Sequence, residues 1–197
     1  NIGTITMNNK NAVGMLGVLG STLINTNQIG LGGVSSAGMY GEDSDLTNSG
    51  STSKITVNKE KSAGMYAKMT KDATAAKVSK NEGTIEILAD GDGKSAGMYS
   101  LMAIGSTQKL TTQNTKTIEV AQEASAGIFA NNESGQANAQ SEVLSSGLIK
   151  MTGINSVGII GKKSKIINSG TGTGANAKGI EISGAGSAGI LATDKSE

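Results

Sequence analysis

The segment Gly93-Lys94-Ser95-Ala96-Gly97 fits the GxSxG pattern that sets a nucleophilic serine on a sharp strand-to-helix turn. That chemistry needs a histidine to accept the hydroxyl proton. The chain has no histidine, so no Ser-His-Asp relay can be built. The equivalent serines Ser36 and Ser62 lack the leading glycine. Gly93-Lys94-Ser95 also looks like the end of a phosphate-binding loop, but the first glycine of that loop would fall on Leu88. Gly184–Gly189 fits GxGxxG after the strand-like Ile180–Ser183. A dinucleotide site then requires a helix and an acidic residue about 20 positions on, whereas the chain continues with Ile190-Leu191-Ala192. Asp90-Gly91-Asp92-Gly93 suggests calcium, yet the glutamate closing a twelve-residue calcium loop would be Leu101. The segment reads better as a turn with two solvated acids. Glu42, Asp43 and Asp45 cluster in a turn, with nothing that fixes the carboxylate separation a glycosidase needs. No catalytic residue, cofactor site or metal-ligand set emerges, and no enzyme activity is expected.

These matches fail for a shared reason: most are fragments of one phrase used seven times. It reads NAVGMLG at Asn11–Gly17, SSAGMYG at Ser35–Gly41, KSAGMYA at Lys61–Ala67 and KSAGMYS at Lys94–Ser100. It continues as ASAGIFA at Ala124–Ala130, NSVGIIG at Asn155–Gly161 and GSAGILA at Gly186–Ala192. The repeat glycines are Gly14, Gly38, Gly64, Gly97, Gly127, Gly158 and Gly189, spaced 24, 26, 33, 30, 31 and 31 residues apart. Self-similarity at this period marks a stacked repeat architecture.

Between the phrases lie short runs alternating apolar and polar residues. They include Gly3–Met7, Lys54–Val57, Gly83–Ile87, Thr117–Val120, Gly147–Met151 and Gly179–Ile182. Period-2 alternation rich in β-branched residues is the pattern of a half-buried strand. A third element precedes some of them, at Leu46–Gly50 and Ile166–Gly170, with Val78–Gly83 a looser copy. The best helical candidate, Lys68–Lys80, is weakened by Thr70, Thr74, Val78 and Ser79. The expected fold is therefore all-β: a right-handed parallel β-helix (β-solenoid) with about three short strands per rung and about seven rungs. At the usual interstrand spacing of ~4.8 Å this makes a rod of roughly 34 Å. Residues 1–197 form one such segment, with loop insertions expected near 68–81, 101–116, 131–146 and 171–178.

Strand alternation assigns Ala63, Met65 and Ala67, with their equivalents, to the inner face. Stacking then builds a ladder of Met15, Met39, Met65, Met98, Ile128, Ile159 and Ile190. The repeat glycines fall on the opposite face, beside the column Leu16, Tyr40, Tyr66, Tyr99, Phe129, Ile160 and Leu191. Two placements of that column remain open. It turns inward if glycine bends the strand, or it forms an exposed stripe in which Tyr40, Tyr66 and Tyr99 are a candidate binding surface.

Composition narrows the function. Hydrophobic residues are 36% of the chain, with three tyrosines and one phenylalanine, which is thin for a conventional core but enough for narrow layers. Net charge is +1 and arginine is absent, which argues against a nucleic-acid surface. There is no cysteine, so no disulfide framework forms. Neither end carries a signal peptide or a capping segment, so the chain reads as cut from something longer, and its open strand edges should favour self-association.

With its repeated KSAGMYA phrase, NSG turns and short isoleucine strands, the whole chain resembles the passenger of fusobacterial type V autotransporter adhesins, the RadD-like large outer-membrane autotransporters. The resemblance implies a bacterial cell-surface stalk, held to the outer membrane through a C-terminal barrel not present in this sequence. It implies adhesion to host cells or partner bacteria, through a surface protein or glycan, as the function of the full protein. A lectin-like glycan-binding module and a carbohydrate-active β-helix enzyme are the alternatives.

Overall fold

A computed structural model describes residues 1–136, 139–170 and 179–194. Within them every regular element is a strand, and all the strand pairings are parallel. The phrase itself forms one sheet of seven strands: β2 (Val13–Val18), β5 (Ala37–Glu42), β7 (Ala63–Met69), β9 (Ala96–Met102), β12 (Ala126–Asn132), β15 (Val157–Lys162) and β18 (Ala188–Thr193). The remaining strands build a second sheet of two ladders. One holds β1 (Ile5–Met7), β4 (Gln28–Leu31), β11 (Thr117–Val120), β14 (Leu148–Met151) and β17 (Gly179–Ile182). The other holds β3 (Thr22–Asn25), β10 (Lys109–Asn114), β13 (Gln140–Ser145) and β16 (Lys165–Asn168). Two long strands, β6 (Asp45–Val57) and β8 (Lys77–Ile87), run through both ladders. The first six rungs each contribute three strand segments and the seventh contributes β17 and β18 among the described residues, which makes a seven-rung parallel β-helix.

In-register stacking makes the core a set of columns. Met39, Met65, Met98, Ile128 and Ile159 are fully buried one above the next. Met15 packs partly buried against the core, and Ile190, on the edge strand β18, is 46% exposed. A second column joins Ile5, Ile29, Ile55, Ile85, Ile118, Ile149 and Ile180.

Three expectations need correction. Strands β10 and β13 lie within segments the sequence marks as loop insertions, β3 and β4 lie where it marks no strand, and Val78–Gly83, the looser copy of the third element, is strand from Lys77 onward. The insertions near 68–81, 101–116 and 131–146 therefore shrink to connections at 70–76, 103–108 and 133–139, and 171–178 lies outside the described residues. Their strand pattern is masked because inward positions are small and polar: Asn25, Thr112, Asn114, Ser141 and Ser145 are buried. Second, the repeat glycines face the core. A Cβ on Gly64 would lie 2.8 Å from Ile85 Cγ2 and 2.7 Å from the Gly97 carbonyl oxygen, and Gly38, Gly97, Gly127 and Gly158 repeat that arrangement. Third, Ala63 does not share the inner face with Met65 and Ala67. The register runs Ala63↔Ala96 then Met65↔Met98, leaving the glycines out, and Ala67 belongs to the core cluster while Ala63 does not. Glycine and methionine both turn inward, so alternation slips by one at each phrase, as in a β-bulge.

Polar ladders fix the corners. Asn25 Nδ2 donates to Asn48 Oδ1 at 2.8 Å, Asn48 to Asn81 at 2.9 Å and Asn81 to Asn114 at 2.9 Å, all four residues fully buried. Before each phrase strand, a serine hydroxyl accepts the backbone N–H of the preceding rung. The bonds run from Ser36 to Ser62 (3.0 Å), Ser62 to Ser95 (3.3 Å), Ser95 to Ser125 (3.2 Å) and Ser125 to Ser156 (3.2 Å). The residue ahead of each serine sits in the left-handed region, from Ser35 at φ 54° to Gly186 at φ 69°, and Asn11 does the same ahead of Ala12 at φ 57°.

Candidate functional site

Because two successive residues of every phrase point inward, no side chain stands outside between Ala63 and Tyr66. Stacked over the rungs, that gap becomes a furrow along the rod of about 740 Å³, within the usual range of ligand sites. Its floor is a row of small residues, Ala37, Ala63, Ala96 and Ala126. One wall is Tyr40, Tyr66, Tyr99, Phe129 and Ile160. The opposite ridge is the left-handed turn position, with Ser35, Lys61, Lys94, Ala124 and Asn155.

The aromatic wall faces outward and is half-buried. Its rings pack edge to face, with centroids 5.1, 4.7 and 5.2 Å apart and interplanar angles of 81°, 85° and 83°. Such contacts add about 0.5–1.5 kcal/mol each. They also occupy the ring faces, so Tyr40, Tyr66 and Tyr99 present edges to a ligand, which suits a sugar ring poorly. Burial pushes the Tyr66 hydroxyl up to about 12 and also raises those of Tyr40 and Tyr99. Tyr40 donates to Glu42 Oε2 at 3.1 Å, and Lys68 Nζ donates to the same oxygen at 2.8 Å. The lysine bond holds the Glu42 carboxyl below the usual range and raises the Lys68 ammonium.

The ridge is different. Lys61 and Lys94 stand on adjacent rungs, both exposed, and no ion pair to either is found among the described residues. No aspartate or glutamate lines the furrow. Of the acids on this corner, Asp90 is taken up by Lys59 at 2.5 Å, and Glu60, Asp92 and Glu123 form no ion pair with Lys61 or Lys94. The serines beneath the ridge are 3–4% exposed and already committed to their ladder, so they offer a ligand nothing. The furrow is a largely apolar channel with two cations on one lip.

The sequence-predicted residues separate accordingly. The Met/Ile ladder is core, the glycines make room for the isoleucine column, and the tyrosines form a wall. The furrow itself escaped the sequence because strict alternation hides a bulge. The asparagine ladder did leave a signal, in asparagines at 25, 48, 81 and 114.

Among the described residues, no group of three His, Cys, Asp or Glu is placed to hold a metal ion, and no helix is long and apolar enough to cross a membrane. Comparison with family models, with curated proteins and with solved structures yields no match.

Proposed function

We propose that this chain is a length of a bacterial cell-surface adhesin passenger, a non-enzymatic stalk that carries adhesive loops away from an outer membrane. The observation that supports this most is the unbroken stack of seven phrase strands in register. Backbone bonds run along the rod axis, so a load applied to its ends is shared by every rung. The connections at 70–76 and 103–108 and the described start of the next one, 133–136, stack on one corner of three successive rungs. There they offer repeated weak contacts that add by avidity.

The test is retention under flow. Surfaces coated with the chain should hold epithelial cells or a second bacterial species against shear, and soluble chain should compete. Retention no better than on a bare surface removes the adhesive role. Turnover of a polysaccharide would replace the reading with an enzymatic one.

A further inference from the structure

We propose that the furrow binds a fatty acid, with its carboxylate between Lys61 and Lys94 and its alkyl chain laid along the alanine floor. This role stands apart from the adhesive reading. Its first support is charge. Lys61 and Lys94 occupy equivalent positions on neighbouring rungs, ~5 Å apart along the rod. Two ammonium groups carried on neighbouring rungs repel, and an anion between them relieves the repulsion while making two charge-assisted bonds.

The second support is a gradient of polarity. Beside the lysines the wall carries the Tyr66 and Tyr99 hydroxyls. One rung beyond Lys94 the wall is Phe129 and the ridge Ala124; one rung further the wall is Ile160 and the floor Val157, with the uncharged Asn155 on the ridge. From the lysine pair to Val157 is about two and a half rung spacings, ~12 Å. A single saturated chain with one acidic end matches both the apolar section and its polar mouth. A glycan would bring hydroxyl groups to a channel whose buried serines, Ser36, Ser62, Ser95 and Ser125, are already bonded. The furrow is one alanine wide, which suits one chain, free in solution, rather than a bilayer surface.

The chain has no tryptophan, and its three tyrosines all stand on the furrow wall. Tyrosine emission therefore reports the site directly. The whole chain is titrated at pH 8 with laurate, kept below its micelle concentration, and with dodecanol as the neutral probe. We expect a saturable emission change with laurate and affinity that climbs up to roughly fourfold per methylene in shorter homologues. Ala126→Leu fills the floor and should weaken laurate more than about tenfold. Lys61→Glu with Lys94→Glu should weaken laurate roughly tenfold and leave dodecanol within about twofold. Both lysines are exposed, so this second variant carries the test should Ala126→Leu fail to fold by circular dichroism. No saturable change, equal laurate binding by the lysine variant, or displacement of laurate by oligosaccharides overturns the proposal. So does a response to phosphatidylglycerol vesicles without one to free laurate.

Discussion

The two corners that flank each phrase strand follow different rules. The corner before the strand is five residues long in six of the seven rungs, as at 58–62, 121–125 and 152–156. The corner after it has two residues at 43–44 and 163–164, six at 103–108, and seven at 70–76 and at 133–139. The first is threaded by the serine ladder, with a left-handed residue ahead of each serine. A corner whose side chain bonds the next rung's backbone cannot change length without breaking two rungs at once. The one longer copy, 88–95, keeps Lys94 and Ser95 in place and loops out upstream, at the Asp90-Gly91-Asp92-Gly93 turn. The second corner has no comparable chain of side-chain bonds. Asp43 secures the first of its long loops by accepting from the Thr70 backbone N–H at 2.7 Å and from its hydroxyl at 2.5 Å. Ser106 Oγ and Asn131 Oδ1, further along, have no partner. Constancy along this rod tracks bonds that run parallel to its axis.

The sharpest way to break the comparison is to disturb the glycine column beside the constant corner. A Cβ on Gly97 would sit 2.7 Å from both the Gly127 carbonyl oxygen and Ile118 Cγ2. Neither neighbour can retreat, because each is held between two further rungs. Gly97→Ala should cost about 3 kcal/mol in urea unfolding; a loss under about 1 kcal/mol would mean the rungs slide freely. Asn81→Ala tests whether the asparagine corner obeys the same rule. It strands the Asn48 amide donor and the Asn114 oxygen, both buried, and should cost about 2 kcal/mol.

Much of this architecture is legible in the residues alone, and the limits have a physical origin. The period, the parallel stack and the column of Met39, Met65 and Met98 come from apolar residues that recur seven times. Strands Lys109–Asn114 and Gln140–Ser145 do not, because their inward residues include threonine, asparagine and serine whose burial depends on neighbouring rungs. The inward turn of Gly64 is invisible for a related reason. Alternation is a rule about one strand, and the bulge is imposed by the isoleucine column across the core.

Two smaller effects refine the contrast. Ser145 occupies the next asparagine position in register after Asn114, and its buried hydroxyl has no partner. Ser145→Asn extends the ladder from Asn114 towards Asn168 and should stabilise the chain by about 1 kcal/mol. Unchanged stability would show that the ladder tolerates gaps. Tyr66 tests the wall beside the constant corner. Its folded pKa of about 12 lies above the ordinary value of 10.0. The native state therefore holds the phenol proton more tightly than the unfolded chain does. The associated stability is complete below pH 10 and is lost as pH rises towards 12. Tyrosinate absorbance at rising pH should show all three phenols ionising above their ordinary value, Tyr66 last, with its ionisation accompanying loss of the β signal. The stabilisation amounts to about 1 kcal/mol once solvent screening at a half-buried site is counted. Three tyrosines titrating together near pH 10, with the fold intact, would contradict the packed wall.

The smallest effect is expected on the variable corner. Ile104 projects from the 103–108 connection with 78% of its surface exposed. No axial ladder passes through it, and the two bonds that anchor its loop, Ala103 N–H to the Met69 carbonyl and Gly105 N–H to the Ser134 carbonyl, are made by the backbone. Ile104→Ser removes exposed apolar surface and leaves those bonds alone, so stability should move by less than about 0.5 kcal/mol. The same substitution should nonetheless lower cell retention under flow if the stacked loops are the adhesive face, because Ile104 is the exposed large apolar side chain among their described residues. A stability loss matching that of Asn81→Ala would place this corner under the same axial constraint as the other two and erase the distinction between them.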